Sequence, residues 1–319
     1  STQIMKQINK ILSAIVFATL LFSSASAQTP EVWSKLKSQI NLFWCNDMGR
    51  NGYYDQKAIA EMMGVMAETV KPEAIIAAGD VHHFNGVASV NDPLWMTNYE
   101  LIYSHPELME AWYPILGNHE YRGNTQAVLN YTHISRRWMM PARYYTKVFT
   151  SKECTVRIVF LDTTPLIDKY RNDSITYPDA HKQDREAQLQ WLDGILKNAH
   201  EDWIICIGHH PVYAQTAKEE DERGDMQKYL LPVLQRYHNV AVYGCGHIHN
   251  FQHIKMPGDA IDFWVNSAAA LSRKVKPAAG TVWCNSSTGF SVISINRNNL
   301  TISNNDKKGN ILYQLTKTK

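Results

Sequence analysis

The sequence predicts an α/β fold, on three observations. Short apolar runs alternate with stretches whose apolar residues fall at helical spacing. Several of those runs end in glycine followed by Asp, Asn or His, the arrangement of ligand-binding residues at the carboxyl ends of sheet strands. Of the 319 residues, 45% are hydrophobic and 19% charged, enough apolar material for a full core.

Each element follows from its residues. Ile40–Cys45 is an apolar, strand-like run. In Gln56–Val70, Ile59, Met62, Met63 and Met66 recur at helical spacing, as core-packing residues do. Ala74–Ala78 is a buried strand that leads into Gly79-Asp80, and residues 112–116 form another that leads into Gly117-Asn118-His119. Residues 155–161 are a strand, and 186–199 a helix with Leu189, Leu192 and Leu196 on one face. Trp203–Ile207 is a strand ending in Gly208-His209-His210-Pro211. Residues 227–236 are expected to be helical, and 240–243 a strand ending near Gly244. Beyond Ile261 only strands are expected, at 263–265, 290–295, 300–303 and 311–315. Alternation implies helices covering a mainly parallel sheet, with antiparallel strands added at the end. No linker, repeat or low-complexity block interrupts 28–319, so one domain is expected there.

The amino end carries a targeting pattern. Lys6 and Lys10 precede a mostly apolar run at 11–22, followed by Ser23-Ser24-Ala25-Ser26-Ala27. Basic, apolar, then Ala-x-Ala is a secretory signal, so residues 5–27 are expected to be removed and the protein exported, to a periplasm or the medium. The run is shorter than the ~20 residues of a spanning helix, so no stable membrane anchor is expected.

Lys plus Arg is 32 and Asp plus Glu is 30; Lys6 and Lys10 fall in the first 27 residues, which hold no acid, so the rest balances at 30 against 30. A neutral chain gains nothing from counterion release, which argues against a nucleic-acid partner. No two of the five cysteines form a CxxC pair. Cys45, Cys206 and Cys245 lie in or beside apolar runs and are expected to be buried thiols; Cys154 with Cys284 is the pair considered for a bridge.

The chemistry collects just after the strands. The segments are Asp47-Met48-Gly49, Gly79-Asp80, Gly117-Asn118-His119-Glu120, Gly208-His209-His210-Pro211 and Gly246-His247-Ile248-His249-Asn250. Carboxylate, amide-oxygen and imidazole donors together suit Fe, Zn or Mn, and a shared carboxylate lets two ions sit ~3.5–4 Å apart. Alternate histidines on an extended backbone point to opposite sides, so His247 and His249 suit two ions.

This set resembles the calcineurin-like metallophosphoesterase superfamily, and within it the purple, or tartrate-resistant, acid phosphatases. Connecting stretches such as Ile134-Ser135-Arg136-Arg137-Trp138, Pro141-Ala142-Arg143-Tyr144-Tyr145 and Gln190-Trp191-Leu192 resemble the small mammalian-type members. The likeness spans residues 41–251. It implies two packed mixed β-sheets flanked by helices, an αββα sandwich, with two metal ions at the strand ends. Carried over, Asp47 and His249 bind one metal, Asp80 bridges, and Asn118, His209 and His247 bind the other. His119 is the proton donor, a role that an imidazole titrating near neutral pH suits.

One departure stands out. The purple members place a tyrosine three residues after the bridging Asp, and its phenolate on ferric iron gives the colour; here that position is His83. Other members place a histidine two residues after the first Asp; here that position is Gly49. His83, with His82 second, is the candidate replacement ligand. His210 and Arg122 are candidates for contact with the substrate phosphate. Residues 165–185 match a stretch that in related small acid phosphatases is an exposed loop restraining activity until it is cut.

The expected function is an exported phosphoric monoester hydrolase acting on a small phosphate ester or a phosphoprotein. A phosphodiesterase or nucleotide hydrolase would use the same centre. A non-catalytic metal-holding surface protein is the alternative from another class, and His119 speaks against it, since binding needs no acid.

Overall fold

The computed structural model describes residues 28–217 and 220–319. The expected signal segment lies outside them. Among the described residues, thirteen strands form two mixed sheets. The first has the order β13-β12-β11-β1-β2-β3 and is built from β1 (Ile40–Cys45), β2 (Ala74–Ala78), β3 (Ala111–Ile115), β11 (Gly289–Ile295), β12 (Asn299–Asp306) and β13 (Ile311–Thr318). The second has the order β10-β8-β9-β7-β6-β5-β4. It holds β4 (Tyr145–Thr150), β5 (Thr155–Phe160), β6 (Trp203–Ile207), β7 (Val242–Cys245), β8 (Phe251–Ile254), β9 (Asp262–Asn266) and β10 (Thr281–Asn285). In each sheet a parallel centre, β1-β2-β3 or β5-β6-β7-β9, is flanked by antiparallel strands.

The helices are α1 (Gln28–Ser34), α2 (Gln56–Val70), α3 (Thr125–Asn130), α4 (Asp168–Arg171), α5 (Arg185–Asn198), α6 (Glu220–Asp225) and α7 (Leu231–Gln235). In α2, Ile59, Met63 and Met66 are buried, as their spacing requires. In α5, Leu189, Leu192 and Leu196 are buried, and the Asp184 side chain caps the start by accepting from the Ala187 N–H at 2.9 Å.

The sheets meet face to face. Trp44 of β1 packs so tightly on Gly244 of β7 that a Cβ there would lie 2.1 Å from the indole. Trp264 Nε1 of β9 donates to Ser291 Oγ of β11 at 3.0 Å. These contacts place the carboxyl ends of β1, β2, β3, β6 and β7 at one end of the sandwich.

Some expectations needed correction. Three strands, β4, β8 and β10, went unread. β4 and β10 are sheet edges with half-exposed side chains, and β8 is a four-residue strand holding Gln252 and His253, so none shows a strong apolar signal. The helix expected at 227–236 is instead a π-helical turn, Met226–Leu230, followed by α7. Pro232 lacks the N–H that a continuous α-helix would use there. The cysteines are all free. Cys284 lies in β10 and Cys154 just before β5, five strand spacings or roughly 24 Å apart, so the considered bridge cannot close.

Candidate metal centre

The loops after β1, β2, β3, β6 and β7 bring Asp47, Asp80, Asn118, His209, His247 and His249 together, all buried, with His119 partly open. Asp47, Asp80, His247 and His249 have left-handed φ values of 56°, 51°, 78° and 57°. Non-glycine residues hold that conformation where the surroundings dictate it, often at functional sites.

The donor atoms fall into overlapping groups. Asp47, His83 and His249 offer atoms within 4.8 Å of one another, and so do Asp80, His209 and His247. Asp80 joins the groups: its Oδ2 lies 3.1 Å from His209 Nε2, 3.5 Å from His83 Nε2 and 4.0 Å from His119 Nε2. Asp47 Oδ1 lies 3.8 Å from His209 Nε2 and 4.0 Å from His249 Nε2. The Nε2 atoms of His83 and His209 and the Oδ1 of Asn118 are buried without a hydrogen-bond partner. Such atoms are costly unless something satisfies them. Burial alone would lower the pKa of His209, but the charges of Asp80 and Asp47 raise it to about 9. Burial would raise Asp80, but the charges of His209 and His119 hold it well below the usual carboxylate range. The centre thus attracts positive charge, and its oxygen and imidazole donors fit two ions of the Fe, Zn or Mn type.

Neighbouring polar groups fix these side chains. The buried Glu120 carboxylate accepts from the N–H groups of Asp80, His82 and Gly117 at 2.8, 2.9 and 2.6 Å, locking the loops after β2 and β3 together. Ser267 Oγ donates to Asp47 Oδ2 at 2.7 Å and accepts from the His249 N–H at 2.8 Å. His209 Nδ1 is 2.9 Å from the Ala78 carbonyl, which turns Nε2 inward. His247 Nε2 lies 2.8 Å from Glu222 Oε2.

Gly49 leaves no room for a donor side chain. A Cβ at 49 would lie 1.7 Å from the Val81 carbonyl oxygen, so no side chain fits there. The Gly49 carbonyl instead accepts from the His83 N–H at 3.3 Å and lies 3.1 Å from His83 Nδ1, holding that imidazole against Asp80. His82 packs edge-on to Trp95 with Asn98 as its partner and joins no donor group.

A cleft of about 290 Å³ opens over the centre, lined in part by Asn118, His119, Arg122 and Tyr177. His119 Nδ1 is 2.6 Å from the Phe84 carbonyl, so Nδ1 carries the hydrogen and Nε2 faces the donor groups. Burial lowers its pKa to about 4, rather than the near-neutral value expected for it. Arg122 lies over the Tyr177 ring at 5.7 Å. His210 departs from expectation. It is fully buried, 2.8 Å from Thr163 Oγ1 and 3.2 Å from the Tyr170 hydroxyl, and packs behind His247 instead of lining the cleft. A larger cavity of about 410 Å³, between Tyr213, Leu234 and Met256, lies away from every donor group.

Sequence reasoning missed Glu222, Ser267, Arg50 and Arg273. Glu222 sits in an ordinary acidic stretch and the others in unremarkable loops; only the tertiary structure brings them here.

Two donor groups sharing a carboxylate at strand ends of a two-sheet sandwich define a two-metal phosphoesterase. Residues 40–251 match the calcineurin-like phosphoesterase family, and the chain belongs to it. Its relatives include purple acid phosphatase 3 of Arabidopsis thaliana, 28% identical over 95% of this chain and 86% of that protein. Purple acid phosphatase 7 of the same plant is 30% identical over 76% of each. Tartrate-resistant acid phosphatase type 5 of Oryctolagus cuniculus is 32% identical over 63% of this chain and 62% of its own. The fold is shared with GAP50, the anchor in the inner membrane complex of Plasmodium (TM-score 0.74, 21% identity, 88% and 89% covered). It is also shared with a dimetal phosphatase of Danio rerio (TM-score 0.62, 13% identity, 88% and 99% covered). Kinship and donor set together make this chain a two-metal phosphatase. No helix among the described residues is long and apolar enough to cross a membrane.

Proposed function

We propose that the protein is an exported phosphoric monoester hydrolase working in acid. The reading is carried by Asp80, whose carboxylate lies within 3.5 Å of an imidazole from each donor group, His83 and His209. Asp47, His83 and His249 would hold one ion, Asn118, His209 and His247 the other, and Asp80 both. Two ions there would polarise the phosphoryl oxygens and lower the pKa of water to about 7.

The chain's own groups do the rest. Glu120 and Ser267 hold the ligand loops in place before substrate arrives. Arg122, on the cleft wall, would bind a phosphate oxygen. His119, fixed by the Phe84 carbonyl, presents Nε2 and would pass its proton to the departing oxygen. With a pKa near 4 it carries that proton in acid. Export is supported by the basic, apolar, Ala-x-Ala order of residues 5–27.

The test is metal analysis of purified protein alongside rates on a monoester and a diester at acid pH. Two bound ions with faster monoester turnover are expected. Faster diester turnover, or full metal with no turnover, overturns the reading.

A further inference from the structure

The turn that carries His119 also carries Arg122. His119 opens a single 3-10 turn, Glu120–Arg122, directly after Asn118. In such a turn side chains three positions apart eclipse, so His119 and Arg122 share one side, and both line the cleft. The other two sides are held. Glu120 accepts from backbone N–H groups of the loops after β2 and β3. Tyr121 points the third way and is fully buried. Its hydroxyl donates to Asp162 Oδ2 and accepts from Arg143 Nη1 at 3.1 Å. Burial, and then the charge of Asp162, raise its pKa well above that of a free phenol, so the hydroxyl keeps its proton. Arg143 extends its Nη2 to Thr125 Oγ1 at 2.8 Å, at the start of α3.

Asp162 is a fixed point. Gln188 of α5 bonds both its backbone N–H and its carbonyl, each at 2.9 Å. Its Oδ1 has no partner, so among the described residues the Tyr121 hydroxyl is the one hydrogen bond its side chain makes. Burial pushes the Asp162 carboxyl up to about 7, and a carboxyl accepts in either protonation state. The next residue, Thr163, accepts at Oγ1 from the N–H groups of His209 and His210, each at 3.1 Å. Two consecutive residues after β5 thus hold the turn of His119 on one side and the loop of His209 on the other.

We propose that Tyr121, gripped by Asp162 and Arg143, is a positioning residue that sets the rotation of this turn, so that His119 Nε2 and the Arg122 guanidinium face the same phosphoryl group. This rests on the phosphatase reading above. The hydrogen bonds inside a 3-10 turn run along its axis and resist rotation about that axis poorly; an anchored side chain resists it directly. Without the hydroxyl the Tyr121 ring still fills its space, but its tether to the strand end of β5 is gone. The metal ligands keep theirs. Glu120 still holds Gly117, next to Asn118, and Thr163 and the Ala78 carbonyl still hold His209. A misplacement of about 1 Å at the reacting atoms can cost ~10²-fold in rate.

The test is Tyr121→Phe in the metal-loaded protein, with Arg143→Lys beside it should the first variant not fold. A lysine ammonium cannot reproduce the arginine fork that holds two oxygens, so the same pattern is expected from it in smaller degree. Three quantities are measured: metal content, affinity for inorganic phosphate by equilibrium dialysis, and kcat on glycerol phosphate and on nitrophenyl phosphate. Tyr121→Phe is expected to keep the metal and to bind phosphate more weakly, through Arg122. Its kcat is expected to fall ~10- to 100-fold on glycerol phosphate, and by less on nitrophenyl phosphate, whose leaving group needs no proton from His119. Unchanged phosphate affinity, an equal loss of kcat on the two esters, or a loss of metal overturns the role. If the wild type turns over neither ester, the phosphatase reading falls, and the phosphate affinities alone decide whether Tyr121 aims Arg122.

Discussion

Glu222 Oε2 lies 2.8 Å from His247 Nε2, and the same buried carboxylate accepts from Lys169 Nζ at 2.9 Å and from the Tyr170 hydroxyl. A carboxylate behind a histidine ligand fixes its tautomer and raises its basicity. With Nε2 engaged, Nδ1 is the atom through which His247 would ligate. Glu222→Gln keeps the shape and removes the charge. Metal affinity is expected to fall ~10- to 100-fold, read by competition with a chelator. Unchanged affinity would show that Glu222 only fills space.

With His83 as the proposed ligand, the colour is predicted. The purple relatives owe theirs to a ferric–phenolate bond, and the imidazole here offers no such transition. Iron-loaded protein is expected to be colourless or nearly so, and His83→Tyr to introduce a visible absorption band. A purple wild type would falsify the placement of His83 beside the first ion.

His119→Ala should retain metal and lose rate. The expected loss is ~10²–10⁴-fold on a poor leaving group such as an alkoxide, and much smaller on nitrophenolate, which needs no proton. Equal losses on both would assign His119 to phosphate binding.

Residues 165–185 are less exposed than expected. The backbone N–H of Asp168 donates to Asp225 at 2.8 Å, Arg171 donates to the Gln183 carbonyl at 2.8 Å, and Thr125 Oγ1 lies 2.7 Å from Asp179. The open tip is 174–176, where Ile175 is 94% exposed. Since Lys169, Tyr170 and Tyr177 of this segment stand on the wall of the cleft over the centre, a cut at the tip is expected to raise turnover by opening that wall to substrate. Limited proteolysis with kinetics before and after decides; a clean cut with unchanged rates makes the segment an ordinary surface loop.

Asp262 of β9 is held by His253 of β8 at 2.7 Å, by Lys317 of β13 at 2.6 Å and by Lys255 at 3.3 Å, tying the two sheets together. Burial opposes ionisation, but the hydrogen bonds from His253 and Lys317 and the lysine charges lower the pKa to about 2. A folded pKa below the unfolded value of ~3.9 contributes stability that is fully present above pH ~4 and lost as pH falls through 2; at about 1.4 kcal/mol per unit this amounts to roughly 2–3 kcal/mol. Asp262→Asn should therefore unfold at lower urea at pH 6, with the gap to wild type narrowing by pH 3. A constant gap would assign the effect to packing.

The sequence by itself determined the α/β class, the central strands and the ligand loops. β1, β2 and β6 are continuous apolar runs buried on both faces, and such runs announce themselves without a partner. Asp47, Asp80 and His209 follow such strands, and Asn118, His247 and His249 follow β3 and β7, whose runs lead into glycine, so placing the strands placed these residues. Edge strands escaped because half-exposed residues carry a weak apolar pattern, as in β4 and β10. What the tertiary structure alone decided were relations between distant segments. Gly49 and Val81 approach so closely that no side chain fits at 49, which leaves His83 over His82 as the imidazole beside Asp80. Glu222 reaches His247 across 25 positions, and His210, adjacent to a ligand, turns away because Thr163 and Tyr170 hold both of its ring nitrogens. Sequence spacing fixes which face of an element a side chain takes; which partner waits there depends on how the two sheets pack.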